Sequence, residues 1–232
     1  MSNEANITMD EARALVADQA LWPFVRDFLW DFEPQIHASW LEGLMSRETS
    51  GNLESLMANP RVKAHVLSQL DIGPCFHAFP KDDWSRMVLL DGATLESVAK
   101  WLGALVCADD MRRVTDGKTV RELKAALAGI YPEVFGYTMY FNGMEIIRRG
   151  AETQNAFEKI NGEIVAQVGT AILFSLISSL PESLLNRFRL KFPKTFCAFE
   201  PMRETKKQAE KVQTVVMKLL KLKFPEAYNL CC

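Results

Sequence analysis

Adjacent aspartates at 109 and 110 are the residues in this chain whose type and spacing come nearest to catalytic chemistry. Asp109-Asp110-Met111-Arg112-Arg113 matches the front half of a DDxxD motif, in which converging carboxylates hold magnesium against a diphosphate. Arg113 stands where the third acid belongs, and no second acidic cluster at helical spacing follows. A helix end that collects charge against its own dipole accounts for the same residues. The three histidines are His37, His65 and His77, with Cys75 two positions before the last. Structural zinc requires four ligands, and Cys75 with His77 supplies two; adding His37 matches no cage spacing. A Cys–His nucleophile also needs an orienting acid and oxyanion donors, and none can be named. No phosphate loop, dinucleotide fingerprint, GxSxG or HExxH is present. No catalytic residue, metal or cofactor is therefore expected.

The remaining chemistry is charge recognition. Arg187, Arg189, Lys191 and Lys194 are set among Phe188, Leu190 and Phe192, and read as a basic patch. Lys206, Lys207, Lys211, Lys218, Lys221 and Lys223 charge a later segment. Such residues suit nucleic acid, lipid headgroups or an acidic protein. Nucleic-acid binding calls for a basic domain, whereas this chain has a net charge of −2, so nucleic acid is not expected. The charge is unevenly spread: residues 1–59 carry three basic and ten acidic side chains, residues 186–232 eleven basic and four acidic. Ends of opposite sign suit two different charged partners.

The elements that would position these residues are helical. In Leu89–Val114, Leu95, Val98, Leu102, Leu105 and Val106 recur at three- and four-residue steps, giving a core helix that Thr94 is placed to cap. Ala99, Gly103, Ala104 and Ala108 are small enough to let a neighbouring helix come close. Before it, helix is expected from about Met9, then short pieces around Trp22, Phe24, Phe28, Trp30, Phe32 and Trp40, broken by Pro23 and Pro34. One reading is that these rings plug a core; the alternative leaves one or two exposed as interface anchors. Residues 50–70 read as two short helices punctuated at Asn59-Pro60, and 71–80 as a turn-rich connector. Thr119–Ile130 reads as a helix with Val120, Leu123 and Leu127 on one face, stopped by Tyr131-Pro132. Residues 133–152 fit either an irregular helix or a loop. Phe157, Ile160, Ile164, Val168, Ile172, Leu176 and Leu180 mark a long helix ending at Pro181. Val212, Val215, Val216, Leu219 and Leu222 mark a last one near Glu204–Phe224.

The fold class that follows is mainly α: a compact, irregular multi-helix domain with little or no β-sheet. The organisation expected is a disordered stretch at 1–8 and a single helical domain over 9–232, within which 203–224 is a basic amphipathic C-terminal helix. At 48% hydrophobic and 24% charged, the composition is that of a globular protein with a sizeable core. Five cysteines at 75, 107, 197, 231 and 232, without disulfide or zinc spacing, point to a reducing compartment. No secretory signal is visible. The longest apolar run, 164–180, is interrupted by Gln167, Thr170 and several serines, so no membrane span is expected.

Against this background, ESVAKWLGALVCADDMRRV followed by VRELKAAL resembles a segment of the SctK/YscK family, in which a Leu-Gly pair lies mid-helix and an Arg-Arg pair closes it. Here these are Leu102-Gly103 and Arg112-Arg113. FEPQIHASWL, residues 32–41, resembles the family's N-terminal aromatic segment, and LRLKFPK with KQAEKVQTVVMKLLKLKFPEA resembles its closing helices. The resemblance implies a non-enzymatic adaptor of the bacterial type III secretion injectisome. It would be cytoplasmic and docked at the cytosolic face of the inner membrane. One of its surfaces would meet an SctD-like inner-ring cytosolic domain and another an SctQ-like pod protein. Through the pod it would connect to an SctL-like stator and an SctN-like ATPase. The residues expected to contact partners are Arg112, Arg113, Lys207, Lys211 and Lys218, with self-capping of the helix dipole the rival use of the two arginines. Rival functions are a helical secretion chaperone, a peripheral membrane binder using the lysine-rich helix, and a helical diphosphate-type enzyme.

Overall fold

In the computed structural model the described residues are 8–16, 18–42, 59–73, 76–80, 84–141, 160–198 and 206–231. The α-helices among them are α1 (Met9–Leu15), α2 (Trp22–Leu29), α3 (Ala38–Leu41), α4 (Pro60–Gln69), α5 (Gly92–Val106), α6 (Ala108–Arg113), α7 (Gly117–Leu127), α8 (Ile130–Tyr137), α9 (Gly162–Leu176), α10 (Glu182–Leu190), α11 (Lys206–Lys223) and α12 (Pro225–Cys231). Short 3-10 turns occupy Gln19–Leu21, Glu33–Gln35, Trp84–Leu89, Thr138–Tyr140 and Lys194–Ala198. No strand occurs among the described residues, so the mainly α expectation holds. The chain forms two compact units: Met1–Gly92 with Leu180–Lys194, and Ala93–Ser179 with Thr195–Cys232.

Local chemistry starts many of these helices. Thr8 and Glu11 form a reciprocal capping box on α1, so the helix starts where Met9 was expected to start it. Of the stretch expected to be disordered, 1–8, residues 1–7 lie outside the described residues, and Thr8 is the α1 cap. The side chains of His37, Asn59, Asp116 and Asn161 each accept from a first-turn N–H of α3, α4, α7 and α9. The first of the two short helices expected in 50–70 lies outside the described residues, and α4 is the second.

In the first unit, Phe28, Phe32 and Phe79 are buried and meet edge to face, with centroids 5.6 and 6.2 Å apart. Phe188 and Phe192 make a second such pair at 5.1 Å. Trp22 packs on Trp30, and the Trp40 indole N–H donates to the Phe192 carbonyl at 2.8 Å. Phe24 alone of that aromatic stretch is exposed. The patch expected at 187–194 is not a surface patch. Arg187 is buried and donates to the carbonyls of Phe28 (2.9 Å) and Gly73 (3.0 Å), its guanidinium over the Phe32 ring. Lys191, 2% exposed, donates to the carbonyls of Val88 and Leu90 at 2.6 and 2.7 Å, 4.8 Å from the Phe28 ring centroid. Arg189 and Lys194 remain exposed. Carbonyls that need donors explain the inversion: each accepts from a basic side chain whose stem crosses apolar surface.

In the second unit, Leu95, Val98, Leu102, Leu105 and Val106 of α5 are buried as their spacing predicts. Gly92 begins the helix, so Thr94 lies in its first turn and not at its cap. The regular helix breaks at Cys107, and Asp109 to Arg113 sit on the separate α6. Tyr131-Pro132 does not stop a helix; it lies in the first turn of α8, where a missing N–H costs nothing. The stop is Ala128, at φ 43°. α8 and the following 3-10 turn occupy the start of 133–152, and 142–152 lie outside the described residues. The long helix, capped by Asn161, runs from Gly162 to Leu176, short of Leu180; Phe157 lies outside the described residues. In α11, Val212, Val215, Val216 and Leu219 are buried, but Leu222 is exposed and Leu220 takes the inner position. A further helix beyond the expected last one, α12, follows after Phe224.

Candidate partner-binding surface

The expected partner-binding residues all lie in the second unit. Arg112 and Arg113 close α6, while Lys207, Lys211 and Lys218 lie on α11. Arg112 donates to Asp109 at 2.9 Å, to the Phe135 carbonyl at 3.1 Å and to the Thr138 hydroxyl at 3.1 Å. Its guanidinium lies over the Phe135 ring, 5.3 Å from the centroid. Arg112 is thus a tie between α6 and the segment after it, as well as a surface charge. Arg113 is different: its side chain is 76% exposed, and its ion pair with Asp110 is a loose 4.0 Å. Both aspartates of the DDxxD-like run therefore pair with an arginine three residues on. Among the described residues no group of three or more His, Cys, Asp or Glu side chains could hold a metal. His37 serves the α3 cap, His77 packs edge-on to Phe79, and Cys75 lies outside the described residues.

Lys218 donates to the Tyr140 carbonyl, its ammonium 5.4 Å from the Phe141 ring centroid. Arg112 and Lys218 therefore anchor the same short segment, Phe135 to Phe141. That segment exposes Met139 and Tyr140, 73% and 57% accessible. α11 itself exposes Met217 and Leu222, 43% and 51% accessible. Met217, with Gln213, Thr214, Lys218, Lys221 and Tyr228, lines an open groove of about 540 Å³ along α11 and α12, with Glu210 also on its wall. Lys221 stands over the Tyr228 ring at 6.0 Å. Lys211 is half-buried, and the side chain of Lys207 lies outside the described residues.

Lys223 is also used internally and is more enclosed, its side chain 20% exposed. It sits 4.7 Å from the Trp101 centroid and 4.3 Å from that of Tyr137, and it pairs with Glu133. Partial burial pulls its pKa down, but the hydrogen bonds and charge of Glu133 and Tyr137 outweigh that and hold it above the ordinary lysine value. No local feature of the sequence separates this lysine from Lys218 or Lys221. Met139, Tyr140, Met217 and Tyr228 are not among the residues expected to contact partners; for the first two the sequence does carry a signal, the methionine- and aromatic-rich run at 135–144.

Among the described residues no helix is long and apolar enough to cross a membrane. Residues 30–231 match the family model described as YOP proteins translocation protein K (YscK), a span that runs through both units. Neither the curated proteins nor the solved structures include a match to the chain.

Proposed function

The chain belongs to the YscK family of type III secretion proteins, and on that premise we propose that it is a non-enzymatic adaptor of the injectisome. In this reading it links SctQ-like pods to the cytosolic domain of an SctD-like inner-ring protein, and through the pods to an SctL-like stator and an SctN-like ATPase. It works in the cytoplasm, docked at the inner face of the membrane. The family match over residues 30–231 carries the reading. Two features support a two-sided binder. The acidic residues 1–59 belong to the first unit and the basic α11 to the second, so each unit offers a charge sign suited to a different partner. Arg112 and Lys218 also hold a segment whose exposed Met139 and Tyr140 are the residue types that anchor interfaces.

The test is affinity purification of the full chain from a host that assembles the apparatus. SctQ-like and SctD-like proteins should be retained together. Retention of neither by a folded bait would refute the adaptor reading.

A further inference from the structure

The groove along α11 and α12 is not accounted for by naming an adaptor. We propose that it is a helix-docking site for an acidic amphipathic helix of another injectisome protein, an assignment that rests on the adaptor reading and specifies one of its surfaces. Shape and charge select this occupant. Glu210 and Lys221 lie eleven residues apart on α11, roughly 16 Å at 1.5 Å per residue, so the groove accommodates about three turns of helix. Met217 offers an adaptable apolar contact between them, and Tyr228 adds an amphipathic ring from α12. Both lysines lie in the C-terminal half of α11, and Glu210 lies toward the other end. That polarity sets the register: the occupant's carboxylates lie opposite Lys218 and Lys221. Lys218 is held in place by the Tyr140 carbonyl, so less side-chain freedom is lost on binding.

A membrane surface fits less well. Polybasic attachment uses clusters of roughly four to eight Lys or Arg. This groove is concave, has two lysines, and carries Glu210 on its wall. A second copy of the chain also fits less well. Its α1 has acidic Asp10 and Glu11 and exposed Met9 and Leu15, but seven residues span only about 10 Å.

The test uses the full chain in a host that assembles the apparatus, with a photo-crosslinking amino acid in place of Met217 and the crosslinked peptide sequenced. The expected product joins Met217 to a carboxylate-rich, amphipathic segment of another injectisome protein. Lys221→Glu should cut that product about tenfold while leaving the thermal unfolding midpoint unchanged. Crosslinks confined to lipid, to a second copy or to a segment without carboxylates would overturn the proposal. So would a K221E product at the parental level, or no product in cells where the parent chain co-purifies with injectisome proteins. If the parent chain co-purifies with none of them, the adaptor reading falls as well, a result read separately from the crosslink.

Discussion

Gly103 of α5 and Gly169 of α9 lie at a crossing where each is covered by the backbone of the other helix. A Cβ on Gly103 would stand 1.7 Å from the Val165 carbonyl oxygen and 3.1 Å from the Gly169 nitrogen. A Cβ on Gly169 would stand 1.7 Å from the Ala99 carbonyl oxygen and 2.9 Å from the Gly103 nitrogen. Ala99 and Gly103 are four residues apart, as are Val165 and Gly169, so one row spaced by four residues on each helix makes the approach, with a glycine in each row. Absent side chains at this contact set how closely α5 can lie to α9, and with it the position of the buried Leu102 and Ile172.

Gly103→Ala and Gly169→Ala should each destabilise the protein by about 3 kcal/mol. Alanine normally gains about 0.5–1 kcal/mol over glycine inside a helix. Here the new methyl meets backbone, which no rotamer change can relieve, and overpacking outweighs the gain. Gly136 of α8 faces open space, so Gly136→Ala should be neutral or stabilising by about 0.5 kcal/mol. Urea unfolding of the three variants checks this. Equal midpoints for G103A and G136A would rule out the crossing.

Lys191 predicts a pH dependence. Burial lowers its pKa from 10.5 to about 7, with Asp91 opposing the shift. Between those values the unfolded chain binds more protons than the folded one, so stability rises with pH, and the full cost of burying the charge is felt below about pH 7. Lys191→Met keeps the stem but leaves the Val88 and Leu90 carbonyls without this donor, at a cost of about 2 kcal/mol. The parent chain's advantage over K191M should therefore grow as pH rises from about 7 toward 10. Denaturation of both proteins across that range measures it, and a constant difference would show that Lys191 does not titrate in the window.

What could be read from the chain was periodic or local. The buried stripe of α5, its small residues and the Asn59 cap each follow from residues within one or two turns of one another. The same local rules mislead at Arg187 and Lys191, because cationic side chains are usually exposed. Their acceptors are 114 and 159 residues away for Arg187, and 101 and 103 residues away for Lys191. No window of sequence contains both ends. Pro132 failed differently: a proline fits a helix start as well as a stop, and the positive φ at Ala128 decides between them. At the candidate surface the lysines were legible as residue types. What separates Lys218 and Lys221 from Lys223 is an aromatic and acidic cradle of Trp101, Glu133 and Tyr137, all far earlier in the chain, Glu133 by 90 residues.

Arg187 and Arg189 sit two residues apart on one helix and should behave oppositely. Arg187→Ala removes the donor of two carbonyl hydrogen bonds and the cation over Phe32, and should cost about 3 kcal/mol. Arg189 is exposed, and Arg189→Ala should stay within about 0.5 kcal/mol of the parent. Thermal and urea unfolding separate the two. A matched pair of values would mean that Arg187 is not an internal donor.

The paired arginines of α6 need separate tests, because the structure divides their work. Arg112→Glu breaks the ties to Phe135 and Thr138 and should lower stability by about 1–2 kcal/mol, so any loss of assembly in that variant mixes folding with recognition. Arg113 is exposed and loosely paired, so Arg113→Glu should leave stability within about 0.5 kcal/mol. If α6 lies on the rim of a partner site, R113E should slow association with SctQ-like or SctD-like protein several-fold at low salt, and the difference should shrink at high salt. Dissociation rates should change little, since a rim charge steers encounter more than it holds the complex. Binding kinetics at two ionic strengths give all three quantities. An unchanged association rate with both proteins at low salt would take Arg113 out of the interface and leave α6 a structural element alone.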